Sequence, residues 1–237
     1  MKIELGELRK IIREEIFEPE KGLIPTNSIR YGHAPIEFVK LARKSDDRIK
    51  EWFIRSGWAE KIQGSAPTND GEVTKRDLEK LLKLTREATQ EDVAFSKFVD
   101  DESNIAELFL SFLSENGYEE SLEEYYRIDN QTLSLLFYLK EVIDRPRPYQ
   151  LARHFGLPIY PLIRTDAMTA SYPSGHALVG FVMSEYYSRK YPRLSIPLRS
   201  LGKKIAFSRE VVAIHYPSDT KVSRLICDII FQNDLLE

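Results

Sequence analysis

A chain of 237 residues, 42% hydrophobic and 30% charged, has room for one domain with a sizeable core. Its formal net charge of −3 supplies no field for nucleic acid or an anionic membrane, so any anion must be held by a local cluster. A single cysteine, Cys227, excludes an intrachain disulfide framework; in its apolar run it reads as a small buried hydrophobe.

Acidic residues enter at once after Met1 and no apolar h-region follows, so no secretory leader is expected. The longest apolar runs, near 133–139 and 177–183, fall far short of the ~20 residues a spanning helix needs. These features predict a soluble, cytoplasmic protein.

Helical periodicity runs through the chain. It predicts helices over Ile3 to Phe17, Ile36 to Trp58, Thr74 to about Thr89, Ile105 to Ser114, Gln131 to Ile143, Gly175 to Tyr191, Pro197 to His215 and Pro217 to Asn233. Thr74, with Asp77 three residues on, resembles the start of a capping box. Strand alternation, hairpin dipeptides and internal repeats are lacking. The predicted fold is all-α, a compact helical bundle forming a single domain over 1–237. Its core lies at about 130–233, and residues 1–100 serve as helical padding or a cap.

Three segments stand apart: Lys140-x6-Arg147-Pro148, Pro173-Ser174-Gly175-His176, and Ser208-Arg209-x5-His215-x3-Asp219. Ser174 is a natural N-cap residue, Gly175 lets a bound group approach the backbone, and His176 then sits in the first turn of a helix, where free N–H groups favour an anion. Lys140 at a helix end and Arg147 between two prolines can converge on one site; an arginine fork matches two phosphate oxygens and a lysine adds a point charge. Asp219, four residues after His215, can accept a hydrogen bond from one imidazole nitrogen and leave the other as a nucleophile. Each segment alone has an ordinary structural explanation. Together they provide three cations, two imidazoles and a carboxylate, as a site needs that holds a tetrahedral oxyanion and attacks it with nitrogen. The other two histidines, His33 and His154, have no such context and read as surface or packing residues.

Taken together, the segments resemble the signature of the type 2 phosphatidic acid phosphatase superfamily, which also contains the class A non-specific acid phosphatases and the vanadium-dependent haloperoxidases. The resemblance covers residues 140 to 219, and the strings around Arg145–Ala152, Ser171–His176 and His215–Asp219 look most like soluble members. It implies that His215 is the nucleophile forming a phosphohistidine, that Asp219 orients it, and that His176 protonates the leaving oxygen and then activates water. Lys140, Arg147 and Arg209 would neutralise the phosphoryl oxygens, with Ser174 and the Gly175 N–H donating further hydrogen bonds. Many relatives carry glycine two residues before the nucleophile histidine; here that position is Ala213.

The expected function is therefore metal-independent hydrolysis of a small soluble phosphate ester. No cofactor, nucleic-acid or membrane partner is expected, vanadate is expected as an inhibitor, and a homo-oligomer is left open. The alternatives are a vanadate-dependent haloperoxidase, with vanadate as cofactor in the same pocket, a lipid-phosphate phosphatase acting from solution, and a non-catalytic protein on a retired phosphatase fold. Retention of both histidines argues against the last.

Overall fold

The computed structural model describes Thr26 and residues 29–32, 45–164 and 169–236. The helix expected over Ile3 to Phe17, and His33, lie outside these residues. Among the described residues there is no strand. Ten α-helices follow in chain order: α1 (Arg48–Arg55), α2 (Trp58–Gly64), α3 (Glu72–Glu87), α4 (Gln90–Phe98), α5 (Glu102–Glu115), α6 (Leu122–Ile143), α7 (Pro148–Ala152), α8 (Gly175–Lys190), α9 (Ser195–Val211) and α10 (Pro217–Gln232). None is long and apolar enough to cross a membrane.

Helix α8 is the centre of the bundle and is buried on nearly every face. Around it the main core gathers Phe53 of α1, Phe109 of α5, Leu135 and Leu139 of α6, Ile205 of α9 and Ile226 of α10, each fully shielded from solvent. Cys227 belongs to this core, and burial pushes its thiol up to about 12, consistent with a structural role. Helices α8 and α9 lie closer than ordinary side chains permit. A Cβ on Gly202 would stand 2.4 Å from the Gly180 carbonyl oxygen, so both helices need glycine at this crossing. This antiparallel pair brings the N-terminus of α8 beside the C-terminus of α9.

A second, smaller apolar cluster joins Leu78 and Leu81 of α3 to Leu151 and Ala152 of α7 and to Ala213 and Tyr216. The three signature segments run between the two clusters. Helix α3 forms one wall behind the signature segments.

Several boundaries differ from the expected ones for local reasons. The helix expected from Ile36 to Trp58 breaks, within its described part, at Gly57, which adopts φ 76° and separates α1 from α2. Helix α3 starts at Glu72, so Thr74 and Asp77 are interior residues; both are buried, and the Thr74 hydroxyl donates to the Thr68 carbonyl at 2.7 Å. The helix expected to reach Thr89 stops at Glu87. Thr89 instead caps a new helix, α4, in a reciprocal capping box with Asp92. Ser121 caps α6 through the Glu124 N–H at 3.0 Å and starts that helix well before Gln131. Helix α9 ends at Val211, short of His215.

Candidate active site

The end of α9 determines where His215 points. The Ile214 N–H donates to the Arg209 carbonyl at 3.1 Å and the Ala213 N–H to the Glu210 carbonyl at 2.9 Å. This is the paired closure of a Schellman motif, whose reversing residue adopts the left-handed conformation. That residue is Ala213, at φ 55° and fully buried. The left-handed turn makes this position one where glycine would meet a backbone need. Replacing Ala213 by Gly removes the left-handed penalty of ~1–2 kcal/mol, partly offset by the freer unfolded chain. We expect Ala213→Gly to raise the melting temperature by ~2–4 °C in a thermal scan; an unchanged or lower midpoint would show that the turn is relaxed as it stands.

His215 leaves this turn with its side chain 3% exposed. Its Nδ1 lies 3.2 Å from Asp219 Oδ2 and its Nε2 lies 2.9 Å from Arg147 Nη1. A guanidinium only donates and a carboxylate only accepts, so the proton resides on Nδ1 and the Nε2 lone pair faces the cation. Asp219 stands in the first turn of α10 and also accepts from the Ser171 hydroxyl at 2.6 Å and the Tyr216 N–H at 2.9 Å.

Arg147 is buried at the start of α7, where its own N–H is held by Gln150 Oε1 at 2.7 Å. Its Nε and Nη2 donate to the Thr169 carbonyl at 3.0 and 2.8 Å, and Nη1 donates to the Ile214 carbonyl at 3.1 Å. Lys140, in the last turn of α6, is buried with Nζ on the Ala170 carbonyl. Arg209, in the last turn of α9, donates from Nη1 to the Ser96 carbonyl at 3.0 Å and pairs through Nη2 with the Asp100 carboxylate. Its buried Nε–H has no hydrogen-bond partner among the described residues, leaving a donor available for a ligand oxygen.

Ser174 caps α8, with the Ala177 N–H 3.4 Å from its hydroxyl. A Cβ on Gly175 would lie 3.2 Å from Leu136 Cδ2, so glycine here lets α6 pack against the start of α8 as well as keeping the helix N-terminus open. His176 follows in the first turn, and its Nε2–H donates to the Asp100 carbonyl at 3.2 Å.

These groups share one electrostatic environment. Burial first, then Arg147, Lys140, Arg209 and His176, hold the His215 imidazolium well below its ordinary range. Burial, then Arg209, does the same to His176. Burial and Arg147 depress the Lys140 ammonium, with Asp219 and Glu102 acting the other way. Both imidazoles are therefore neutral at pH 7, beside the Arg147 and Arg209 guanidiniums.

A dianion bound among these groups would reverse the repulsion and raise both imidazole pKa values. Anion binding must then take up protons, and affinity must fall as pH rises through the histidine pKa of the complex. We expect sulfate, whose own charge is constant over this range, to bind more weakly at about pH 8 than at about pH 6. Calorimetry in two buffers of different ionisation enthalpy measures the proton uptake directly; binding without uptake would contradict the assignment.

With this geometry in view, comparison with known proteins gives a consistent picture. Residues 131–231 match the family model described as the PAP2 superfamily. The match spans all three signature segments. Its fold is similar to that of a transmembrane PAP2-type phosphatidylglycerolphosphate phosphatase from Bacillus subtilis, with TM-score 0.51 and 15% identity over 79% of this chain and 96% of that one. A search of curated proteins finds no match.

The matched segment contains every site residue read from the sequence: Lys140, Arg147, Ser174, Gly175, His176, Arg209, His215 and Asp219. The structure adds groups that sequence reasoning missed. Asp100, in the turn between α4 and α5, holds Arg209 by its carboxylate and His176 by its carbonyl. Arg145 pairs with Asp219 at 2.6 Å, and Ser171 donates to the same carboxylate. Ser171 and Arg145 stand inside the recognised strings, so proximity was the available signal; for Asp100 the sequence carries none. His154 is exposed on a short 3-10 turn away from these contacts. Among the described residues no group of three or more His, Cys, Asp or Glu side chains is arranged to hold a metal ion.

Proposed function

We propose that the protein is a metal-independent phosphomonoesterase that hydrolyses small phosphate esters through a phosphohistidine on His215. The observation that carries this reading is the state of His215. Its Nδ1–H is committed to Asp219, and its Nε2 lone pair faces Arg147, with Lys140, Arg209 and His176 near enough to act on the same imidazole.

In this scheme a phosphoryl group enters with its oxygens against Lys140, Arg147, Arg209 and the N-terminus of α8. Arg147 Nη1 transfers its hydrogen bond from His215 Nε2 to a phosphoryl oxygen, freeing the nitrogen to attack phosphorus in line with the leaving oxygen. The imidazolium that forms is stabilised by Asp219. His176 keeps its Nε2–H on Asp100, so Nδ1 is the nitrogen that exchanges protons. The proton taken up on anion binding is delivered to the leaving oxygen. Neutral again, His176 accepts a proton from water as the water attacks the phosphohistidine, releasing inorganic phosphate. Catalysis rests on positioning and on charge already in place.

We place the substrate in the aqueous phase, and the protein in the cytoplasm, because no described helix can cross a membrane and the signature strings resemble those of soluble relatives. The structurally similar Bacillus subtilis protein bears the name of a lipid-phosphate phosphatase, which favours lipid phosphates as the second reading. A phosphate-release screen over nucleotides, sugar phosphates, p-nitrophenyl phosphate and a lysophosphatidate separates the two. We expect release from water-soluble esters, competitive inhibition by orthovanadate and no loss with EDTA. Release confined to the lysophosphatidate would favour the second reading, strong EDTA sensitivity would refute the metal-free mechanism, and halide oxidation with vanadate and peroxide would reassign the pocket to haloperoxidase chemistry.

A further inference from the structure

Arg145 takes no part in the phosphate cradle, yet its side chain is 1% exposed and pairs with a carboxylate that is 0% exposed. The two oxygens of Asp219 divide their work. Oδ2 faces His215, Ser171 and the Tyr216 N–H, whereas Oδ1 takes Arg145 Nη1 at 2.6 Å. The Arg145 guanidinium also stacks on the Tyr216 ring, 3.8 Å from its centroid, and Nη1 donates to the Ser218 hydroxyl at 2.7 Å. Its Nη2 donates to Thr74 Oγ1 at 3.0 Å, in the first turns of α3 and outside the segment matched by the family model. The Thr74 proton is committed to the Thr68 carbonyl, so its lone pairs are free to receive Arg145.

We infer that Arg145, held by Thr74 of α3, is a positioning residue that keeps Asp219 ionised and thereby keeps the His215 proton on Nδ1. A carboxylate without solvent is driven toward protonation unless a cation or hydrogen bonds oppose this. A protonated Asp219 could donate to Nδ1 and leave the proton of the neutral imidazole on Nε2, where it blocks attack. The ionisable groups facing Asp219 are Arg145, His215, Lys140, Arg147 and the phenols of Tyr172 and Tyr216. Arg145 alone among the cations touches the carboxylate. Lys140 and Arg147 act from the cradle side, where an arriving phosphoryl group neutralises them, so Arg145 is the counter-charge that persists through turnover.

The inference rests on the phosphatase reading, and its test separates the two. We expect Arg145→Gln to lower kcat about 10–100-fold, as loss of a partner that orients a reactive histidine commonly does. KM and sulfate affinity should stay within about threefold, because the cradle is untouched. The acid limb of the kcat/KM profile should move up by about one pH unit or more, since an ionised Asp219 then requires a higher pH. In an Asp219→Asn background the same change should cost less than about threefold, the mark of two residues acting as one unit.

A folded Arg145→Gln enzyme with an unmoved acid limb, or an equal loss in the Asp219→Asn background, would overturn the inference. Should Arg145→Gln fail to fold, Thr74→Val loosens the same guanidinium at nearly constant volume, and its limb should shift in the same direction by less; no shift there counts against the inference. A parent protein inactive on every ester would overturn the phosphatase reading instead. The inference then stands or falls on the 15N spectrum of His215, which reports the Nδ1–H tautomer without turnover and should lose it in the variant.

Discussion

His215→Ala is expected to hydrolyse p-nitrophenyl phosphate at least about 10⁴-fold more slowly than the parent, the scale on which removal of a nucleophile acts when the rest of the machinery remains. The surrounding contacts explain why the loss should be chemical rather than structural. Asp219 keeps Arg145, Ser171 and the Tyr216 N–H, and Arg147 keeps the carbonyls of Thr169 and Ile214. No buried charge is stranded, so the costly outcome of an unpaired ion does not arise. Sulfate should still bind the variant through the unchanged cations, with less proton uptake than in the parent. Circular dichroism and a thermal scan establish the fold, and stopped phosphate-release assays measure the rate. A well-folded variant working near the parent rate would remove His215 from the nucleophile's role.

His176→Ala is expected to separate substrates by leaving group. With p-nitrophenyl phosphate, whose phenolate departs with little protonation, the loss should be about tenfold; with glycerol phosphate, whose alkoxide needs a proton, it should reach about 10²–10⁴-fold. In the proposed scheme the second hydrolytic step also uses His176, which sets the floor for the good leaving group. Retention of the turn that carries Asp100 can be checked through Arg209, which that residue holds independently of the imidazole. Equal losses on the two esters would mean that His176 serves the cradle as an electrostatic neighbour and not as the proton donor.

How far these expectations were legible beforehand depends on the range of each interaction. His215 and Asp219 lie four positions apart, and Ser174 caps the helix that bears His176, so local spacing suffices to suggest them. The helical class was equally legible, because apolar periodicity reports which face of each segment is buried. Boundaries were less so. The helix predicted to run on to His215 stops at Val211 because a Schellman closure forms at Ala213, a residue type that does not advertise the left-handed conformation. Thr74 resembled a helix cap by its spacing to Asp77, yet it lies inside α3 as the acceptor for Arg145.

By itself the sequence determined an all-helical fold class and the order of three cations, two imidazoles and a carboxylate along the chain, since these follow from residue type and short-range spacing. Only the tertiary structure decided what supports them. Asp100 reaches Arg209 across 109 positions, Arg145 reaches Asp219 across 74, and Thr74 reaches Arg145 across 71. Such partners are chosen by the packing of α3 and α4 against the signature segments. Any buried arginine needs acceptors, but which carboxylate or hydroxyl answers it is a property of how helices meet, and no local pattern encodes that.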